Sequence, residues 1–263
     1  MRREENGIAR ILYDSRYPVL GIALFLAVWW LGSVWYGPFI LPSPQEAGEA
    51  LVRLFREGVV ARAAWLTAVR ALCGFGLAVL FGSSVGILAG LHPALARTLQ
   101  PVVSMLLGIP PIAWIVLAML WFGTTGLTPV FTVVVTALPV CFAVAVEGAR
   151  TRDRGLEDMA RSFGTPRIML LMDVHLPHIL SYLFPGWVTA LSLSWKVAVM
   201  AELLASTNGI GANLALARIN LDMAEVLAWI IVLLVLLLAV ELLVLNPLKR
   251  RLEPWRARIA PNG

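Results

Sequence analysis

Six apolar blocks, each long enough to cross about 30 Å of bilayer hydrocarbon, set the rhythm of this chain. They run over Tyr17–Gly37, Leu66–Leu91, Leu99–Phe122, Leu127–Ala149, Leu180–Ala205 and Val226–Leu245. The pattern predicts an all-α polytopic membrane protein with about six transmembrane helices. Two polar connections carry structure of their own. After Pro44 the chain turns amphipathic, with Ala47, Ala50, Leu51, Leu54 and Phe55 on one face of a helix that lies on the membrane or packs against the spans. After the fifth block, Gly209–Ile210–Gly211 makes a turn into a short helix. The longest interruption is a polar island from Asp153 to Pro177, DRGLEDMARSFGTPRIMLLMDVHLP, far more than a simple reversal needs.

The distribution of Arg and Lys orients the spans. Arg2, Arg3, Arg10 and Arg16 precede the first block, and Arg150, Arg152, Arg154, Arg161 and Arg167 fill the island. Lys249, Arg250, Arg251, Arg256 and Arg258 follow the last block. An even number of spans with these clusters on one side places both termini and the island in the cytoplasm of a bacterial cell, with the Pro44 and Gly209 segments outside. The short loop LHPALAR, with Arg97, falls on the cytoplasmic side. Trp29, Trp30, Trp35, Trp121 and Trp255 stand near span ends, where indoles anchor at the interface.

Composition agrees: 59% of the 263 residues are hydrophobic and 14% charged, against about a quarter charged in soluble domains. The net charge of +5 belongs to membrane topology and predicts no nucleic-acid partner. Cys73 and Cys141 lie inside apolar blocks as small packing residues, without metal spacing. His92, His175 and His178 read as surface residues near cytoplasmic ends. No metal site and no cofactor is expected. The N-terminal stretch lacks a small-x-small cleavage site after its apolar run and reads as a retained first span. The domain reading is a cytoplasmic segment over residues 1–16, one transmembrane domain over 17–248 with its loop at 150–177, and a cytoplasmic tail at 249–263.

Within the blocks, three features bear on mechanism. Gly74, Ala78, Gly82, Gly86 and Gly90 recur every fourth residue of the second span, a ladder that lets another helix approach closely. Packing within the chain is the plainer use; a dimer seam or moving interface is the other. Pro110–Pro111 interrupts the third span near its middle, followed by Trp114. Such breaks at bilayer depth need protein or a water-filled cavity around them, as transport pathways provide; a kinked packing helix is the alternative. Pro139 repeats the theme in the fourth span. Among ionisable residues, Arg70 and Glu241 lie near span ends and read as snorkelling. Lys196 and Glu202 in the fifth span are not at i, i+4 spacing. Lys196 is left to neutralise Glu202 or Glu241 across helices, or to meet an anion in the pathway.

The island divides by its caps. Asp153 is a helix N-cap with Glu157 and Asp158 in the first turns. Gly164 suits the left-handed residue that closes a helix. Thr165–Pro166 reads as N-cap and first residue of a second helix, which Pro177 ends. Two short helices on a glycine elbow make a rigid docking knob.

These residues resemble the permease subunit of bacterial binding-protein-dependent ABC importers, whose cytoplasmic loop reads E-A-A-x-x-x-G, nine residues, I-x-L-P. Asp158, Met159 and Ala160 stand at the E-A-A positions, Gly164 at the glycine, and Val174, Leu176 and Pro177 at the close. Asp for Glu and Met for the first Ala are departures. LPSP (Leu41–Pro44), IPPIAW (Ile109–Trp114), LWFG (Leu120–Gly123), Ala201–Glu202 and LEPW (Leu252–Trp255) are similar to the branch importing alkanesulfonates, taurine, nitrate or bicarbonate. The resemblance implies the type I importer permease fold, a homodimeric pore, coupling helices docked on a cytoplasmic ATPase dimer, and an extracytoplasmic substrate-binding protein. The chain carries no G-x-x-x-x-G-K-[ST] loop, so ATP hydrolysis falls to the partner and this chain is not an enzyme. A secondary transporter or channel is the competing class, without an account of the island or an inverted repeat. An intramembrane enzyme lacks G-x-S-x-G and H-E-x-x-H motifs.

Overall fold

The computed structural model describes residues 16–151, 155, 159, 162, 163, 166–170, 172, 175–245 and 247. All regular structure among them is helical: α1 (Arg16–Tyr36), α2 (Pro44–Arg56), α3 (Val59–Leu91), α4 (Pro93–Gly108), α5 (Pro111–Phe122), α6 (Leu127–Arg150), α7 (Arg167–Leu170), α8 (Leu176–Ala205), α9 (Ile210–Ile219) and α10 (Met223–Val240). A π-turn over Glu241–Leu245 continues α10.

Four helical stretches are long and apolar enough to cross a membrane, and a fifth span is formed if the bent pair α4–α5 is counted as one. The first expected span appears as a shorter apolar helix, Leu20–Tyr36. The third span starts earlier than the expected Leu99. It begins at Pro93, directly after His92, so the expected LHPALAR loop is mostly helix and Arg97 lies on α4. It then breaks by 94° between Gly108 and Pro111. The cause is local: Pro110 sits at φ −60°, ψ 142°, Ile109 is extended as a residue before proline must be, and neither proline has an N–H for the helix ladder. The second span also starts earlier than expected, at Val59 instead of Leu66.

Helices α3, α6 and α8 form the core of the bundle. The glycine ladder faces α6 within the chain. A Cβ on Gly82 would lie 2.7 Å from the Leu138 carbonyl oxygen, one on Gly86 2.6 Å from that of Phe142, and one on Gly90 2.5 Å from the Ala149 Cβ. On Gly74 it would meet the Val133 side chain at 2.6 Å. Side chains are absent so that backbones can touch, and dispersion contacts supply the adhesion that apolar surface cannot supply in lipid. Gly186 does the same for α8, where a Cβ would sit 2.5 Å from Val144. Ala78, Ala137, Cys141 and Ala190 fill the space where the three helices meet. Cys141 is buried as expected of a packing residue; Cys73 is exposed.

At the end of the bundle away from the island, α2, α9 and the starts of α3 and α10 build a second layer. Its core holds Ala50, Leu54, Val60, Ala63, Ile210, Ala217, Ala228 and the fully buried Trp229. Helix α2 begins with a capping box: Ser43 Oγ accepts from Glu46 N–H at 3.3 Å, and Glu46 Oε2 accepts from Ser43 N–H at 2.7 Å. Its apolar face is seated largely as the periodicity predicts, with Ala47, Ala50 and Leu54 buried, although Phe55 is exposed. Asp222 caps α10 through the Glu225 N–H at 2.9 Å. Helix α1 leans on this layer through Trp29 Nε1, which donates to the Pro42 carbonyl at 2.9 Å.

Candidate functional site

Among the described residues, the most completely bonded polar cluster joins α3 to the far end of α8. Arg70 lies about 16 Å along α3 from Val59, at about 1.5 Å per residue, and Glu202 lies one turn before the end of α8. Arg70 Nη1 donates to Glu202 Oε1 at 2.6 Å. Glu202 Oε2 accepts from Thr67 Oγ1 at 2.7 Å and from the Gly211 N–H at 3.3 Å. Arg70 Nη1 also donates to the Asn208 carbonyl at 2.7 Å, and Nη2 to Asn208 Oδ1. Thr67 Oγ1 in turn accepts from the Ile210 N–H at 3.0 Å.

This arrangement corrects two sequence expectations. Arg70 does not snorkel; it is buried beside a fully buried carboxylate. Glu202 is neutralised by Arg70 and not by Lys196. Glycines in the local sequence make room for the cluster. Gly209 has φ +111°, a conformation that favours glycine, and a Cβ there would collide with the Glu202 carboxylate. A Cβ on Gly211 would strike the Val199 carbonyl. The turn before α6 closes the other side, where a Cβ on Gly126 would lie 3.4 Å from Arg70 Nε.

Lys196, about 14 Å short of the same end of α8, is exposed on the protomer surface and makes no ion pair or hydrogen bond among the described residues. It shares an exposed stripe of α8 with Thr189 and Met200. Glu241 is exposed at the start of the π-turn and makes no ion pair there among the described residues. Of the options left open for Lys196, pairing with Glu202 or with Glu241 is therefore not what the fold assembles.

The α4–α5 break, with Pro110 and Pro111, opens an apolar groove of about 700 Å³ lined by Ile109, Ala113, Trp114, Leu117 and Leu120. Trp114 Nε1 is buried without a hydrogen-bond partner among the described residues. Ile115, next to it, packs on Ala201 and Ala205 of α8, so the broken span rests beside the Glu202 end of that helix.

At the island, Asp158, Ala160, Gly164 and Thr165 lie outside the described residues, as do the expected N-cap Asp153 and the first-turn Glu157. The described part is helical at Gly155, Met159 and Ser162, turns at Phe163, and resumes as α7. Leu170 N–H donates to the Pro166 carbonyl at 3.0 Å, and α7 starts at Arg167, so Pro166 stands just before the helix instead of being its first residue. Leu176 and Pro177 start α8, earlier than the expected Leu180. Phe163 is 82% exposed, and Met159, Ile168, Met169 and Met172 all stand above half exposure. A polar loop that displays five large apolar side chains has the makeup of a docking surface.

Comparison with known proteins gives the family. The model described as "Binding-protein-dependent transport system inner membrane component" matches residues 78–258. The taurine transport system permease protein TauC of Escherichia coli (strain K12) is 30% identical over 245 residues, covering 90% of this chain and 89% of TauC. The putative aliphatic sulfonates transport permease protein SsuC of the same organism is 33% identical over 71% of this chain and 72% of its own length. The bicarbonate transport system permease protein CmpB of Synechococcus elongatus is 32% identical over 72% of each chain. Among solved structures, a chain of the inward-facing MetNI methionine ABC transporter superposes with a TM-score of 0.62 at 18% identity, covering 74% of this chain and 96% of that one.

Proposed function

The chain belongs to the family of binding-protein-dependent transport system inner membrane components, and on that premise we propose that two copies line one pore, driven by a cytoplasmic ATPase dimer and supplied by an extracytoplasmic substrate-binding protein. As a member it is a multi-pass membrane permease subunit of an ABC importer and a transport protein. Family membership implies ATPase and substrate-binding partners in general.

The finer assignments follow from the chain's own features. The island at residues 150–177 docks on the ATPase through Met159, Phe163, Ile168, Met169 and Met172, and Asp158, Ala160, Gly164, Thr165, Pro166, Leu176 and Pro177 are its further coupling residues by the motif they resemble. The observation that carries this is the exposure of five large apolar side chains on a polar loop. The Arg and Lys clusters at the island and both termini support a cytoplasmic position for all three. The α2–α9 layer then faces outward, toward the binding protein.

The relatives are named for taurine, aliphatic sulfonates, bicarbonate and nitrate. Small solutes bearing an oxyanion are the shared chemistry, and we carry that class to this chain. The solute passes the groove at Pro110–Pro111 and Trp114, and Lys196 meets its negative charge. The test is expression with the neighbouring ATPase and purification as a complex, followed by uptake of labelled taurine in vesicles. ATP-dependent uptake and co-purification are expected. A chain that runs alone and transports without ATP would overturn the reading.

A further inference from the structure

The Arg70–Glu202 cluster spends most of its bonds on one short piece of chain. Arg70 holds both the carbonyl and the side-chain oxygen of Asn208. Glu202 holds the Gly211 N–H, and Thr67 holds the Ile210 N–H. Four of the contacts therefore converge on the turn Asn208–Gly211 and the first residues of α9. Glu202 also lies at the N-terminus of α9, where a carboxylate is favoured. A buried ion pair contributes little net stability, because desolvation offsets attraction; apolar residues of similar volume would do as well. What the pair supplies that apolar residues cannot is direction: a planar fork that fixes one backbone carbonyl and one side chain at once.

We infer that Arg70 and Glu202 are positioning residues of the outer mouth: they hold the Asn208–Gly211 turn and α9 against α3, α8 and the Gly126 turn, so that contact with the substrate-binding protein is passed into the spans. This rests on the importer reading above. The exposed part of the turn, Thr207 and Asn208, stands on the face away from the island, and the same cluster reaches α8, which runs back to the island at Leu176. The groups bonded to the pair come from α3, the turn and α9; the Gly126 turn packs on the Arg70 guanidinium.

The test uses the whole complex in nanodiscs and reads its ATPase rate with and without the substrate-binding protein as isolated with its solute. Arg70→Lys keeps the charge opposite Glu202 but loses the fork to Asn208. Asn208→Ala removes an exposed side chain whose loss leaves the buried pair intact. In both variants the stimulation by the binding protein is expected to fall about fivefold, the effect of one lost hydrogen bond, with the basal rate unchanged. A merely charge-balancing role predicts wild-type stimulation in both, and that result overturns the inference. Should Arg70→Lys fail to assemble, Asn208→Ala alone decides. A wild-type complex that shows no stimulation at all counts instead against the importer reading.

Discussion

Trp187 donates its indole N–H to Ser83 Oγ at 2.9 Å, tying α8 to α3 across the middle of the bundle. Ser83 is buried and follows Gly82 in sequence, so the helix that packs on α6 through its glycines is held to α8 through this hydroxyl. Interhelical hydrogen bonds in membranes are worth about 0.6 kcal/mol on average and about 1.7 at most. Ser83→Ala should lower the unfolding free energy of the purified protein by an amount in that range. Trp187→Phe should cost less in the Ser83→Ala background than in the wild type, by the energy of this bond. A double-mutant cycle by denaturant titration in micelles measures the coupling, and a coupling of zero would remove this bond from the account.

The α3–α6 seam makes a sharper prediction. A Cβ on Gly86 would lie 2.6 Å from the Phe142 carbonyl oxygen and 3.1 Å from its Cα. Backbone cannot turn aside as a flexible side chain can, so Gly86→Leu must part the two helices. The expected cost is at or above the usual overpacking range of about 1–3 kcal/mol, read as lost yield of folded complex and a lower melting temperature. Gly76 lies on the same helix with nothing within 4 Å of an added Cβ. Gly76→Leu should therefore stay within about 0.5 kcal/mol of wild type, and equal damage from both variants would mean that the seam is not the cause.

Much of this architecture was legible in the chain because lipid imposes a simple rule: apolar length makes a span. Helix α2 was readable from its period and from Ser43, Pro44 and Glu46, and the break at Pro110–Pro111 from the chemistry of proline. What escaped was pairing between helices. Arg70 and Glu202 stand 132 residues apart, and each alone resembles a span-end charge with access to water. Only their common depth, near the same end of α3 and α8, hints that they meet. Gly209 and Gly211 were legible as a turn. That their missing side chains make room for a carboxylate and for α8 backbone depends on where α9 re-enters, which no local pattern encodes. The 94° turn at Pro110 was equally out of reach, since proline sets where a helix stops and its packing partners set the direction it takes next.

At the island, Phe163 and Ile168 are exposed by 82% and 64%. Apolar anchors of this kind commonly cost more than about 1 kcal/mol each when truncated at an interface. Phe163→Ser with Ile168→Ser should weaken retention of the ATPase by roughly tenfold or more, since about 1.4 kcal/mol is one decade. The melting temperature of the isolated permease should not change, because neither side chain supports the bundle. Affinity measured by titrating ATPase onto immobilised permease decides between docking and ornament. Undiminished binding would move the contact elsewhere on the loop.

Lys196 separates two environments that differ in energy. A lysine facing lipid near the centre of a span costs about 2.5–3.5 kcal/mol on insertion scales, so Lys196→Met would raise stability if that were its setting. A lysine facing a water-filled path has already kept its hydration, and the same substitution would leave stability unchanged. Its exposed position beside Thr189 on α8, without a carboxylate partner among the described residues, fits the second setting when the solute is an anion. Losing a charge-assisted hydrogen bond is worth about 1.5–3 kcal/mol, so uptake by Lys196→Met should drop roughly 10- to 100-fold, with ATPase association intact. Lys196→Arg, which keeps the charge, should retain most of the rate. Initial rates of labelled taurine uptake, set beside melting temperatures of the same preparations, distinguish the cases: a gain in stability with wild-type uptake would place Lys196 against lipid and outside the path.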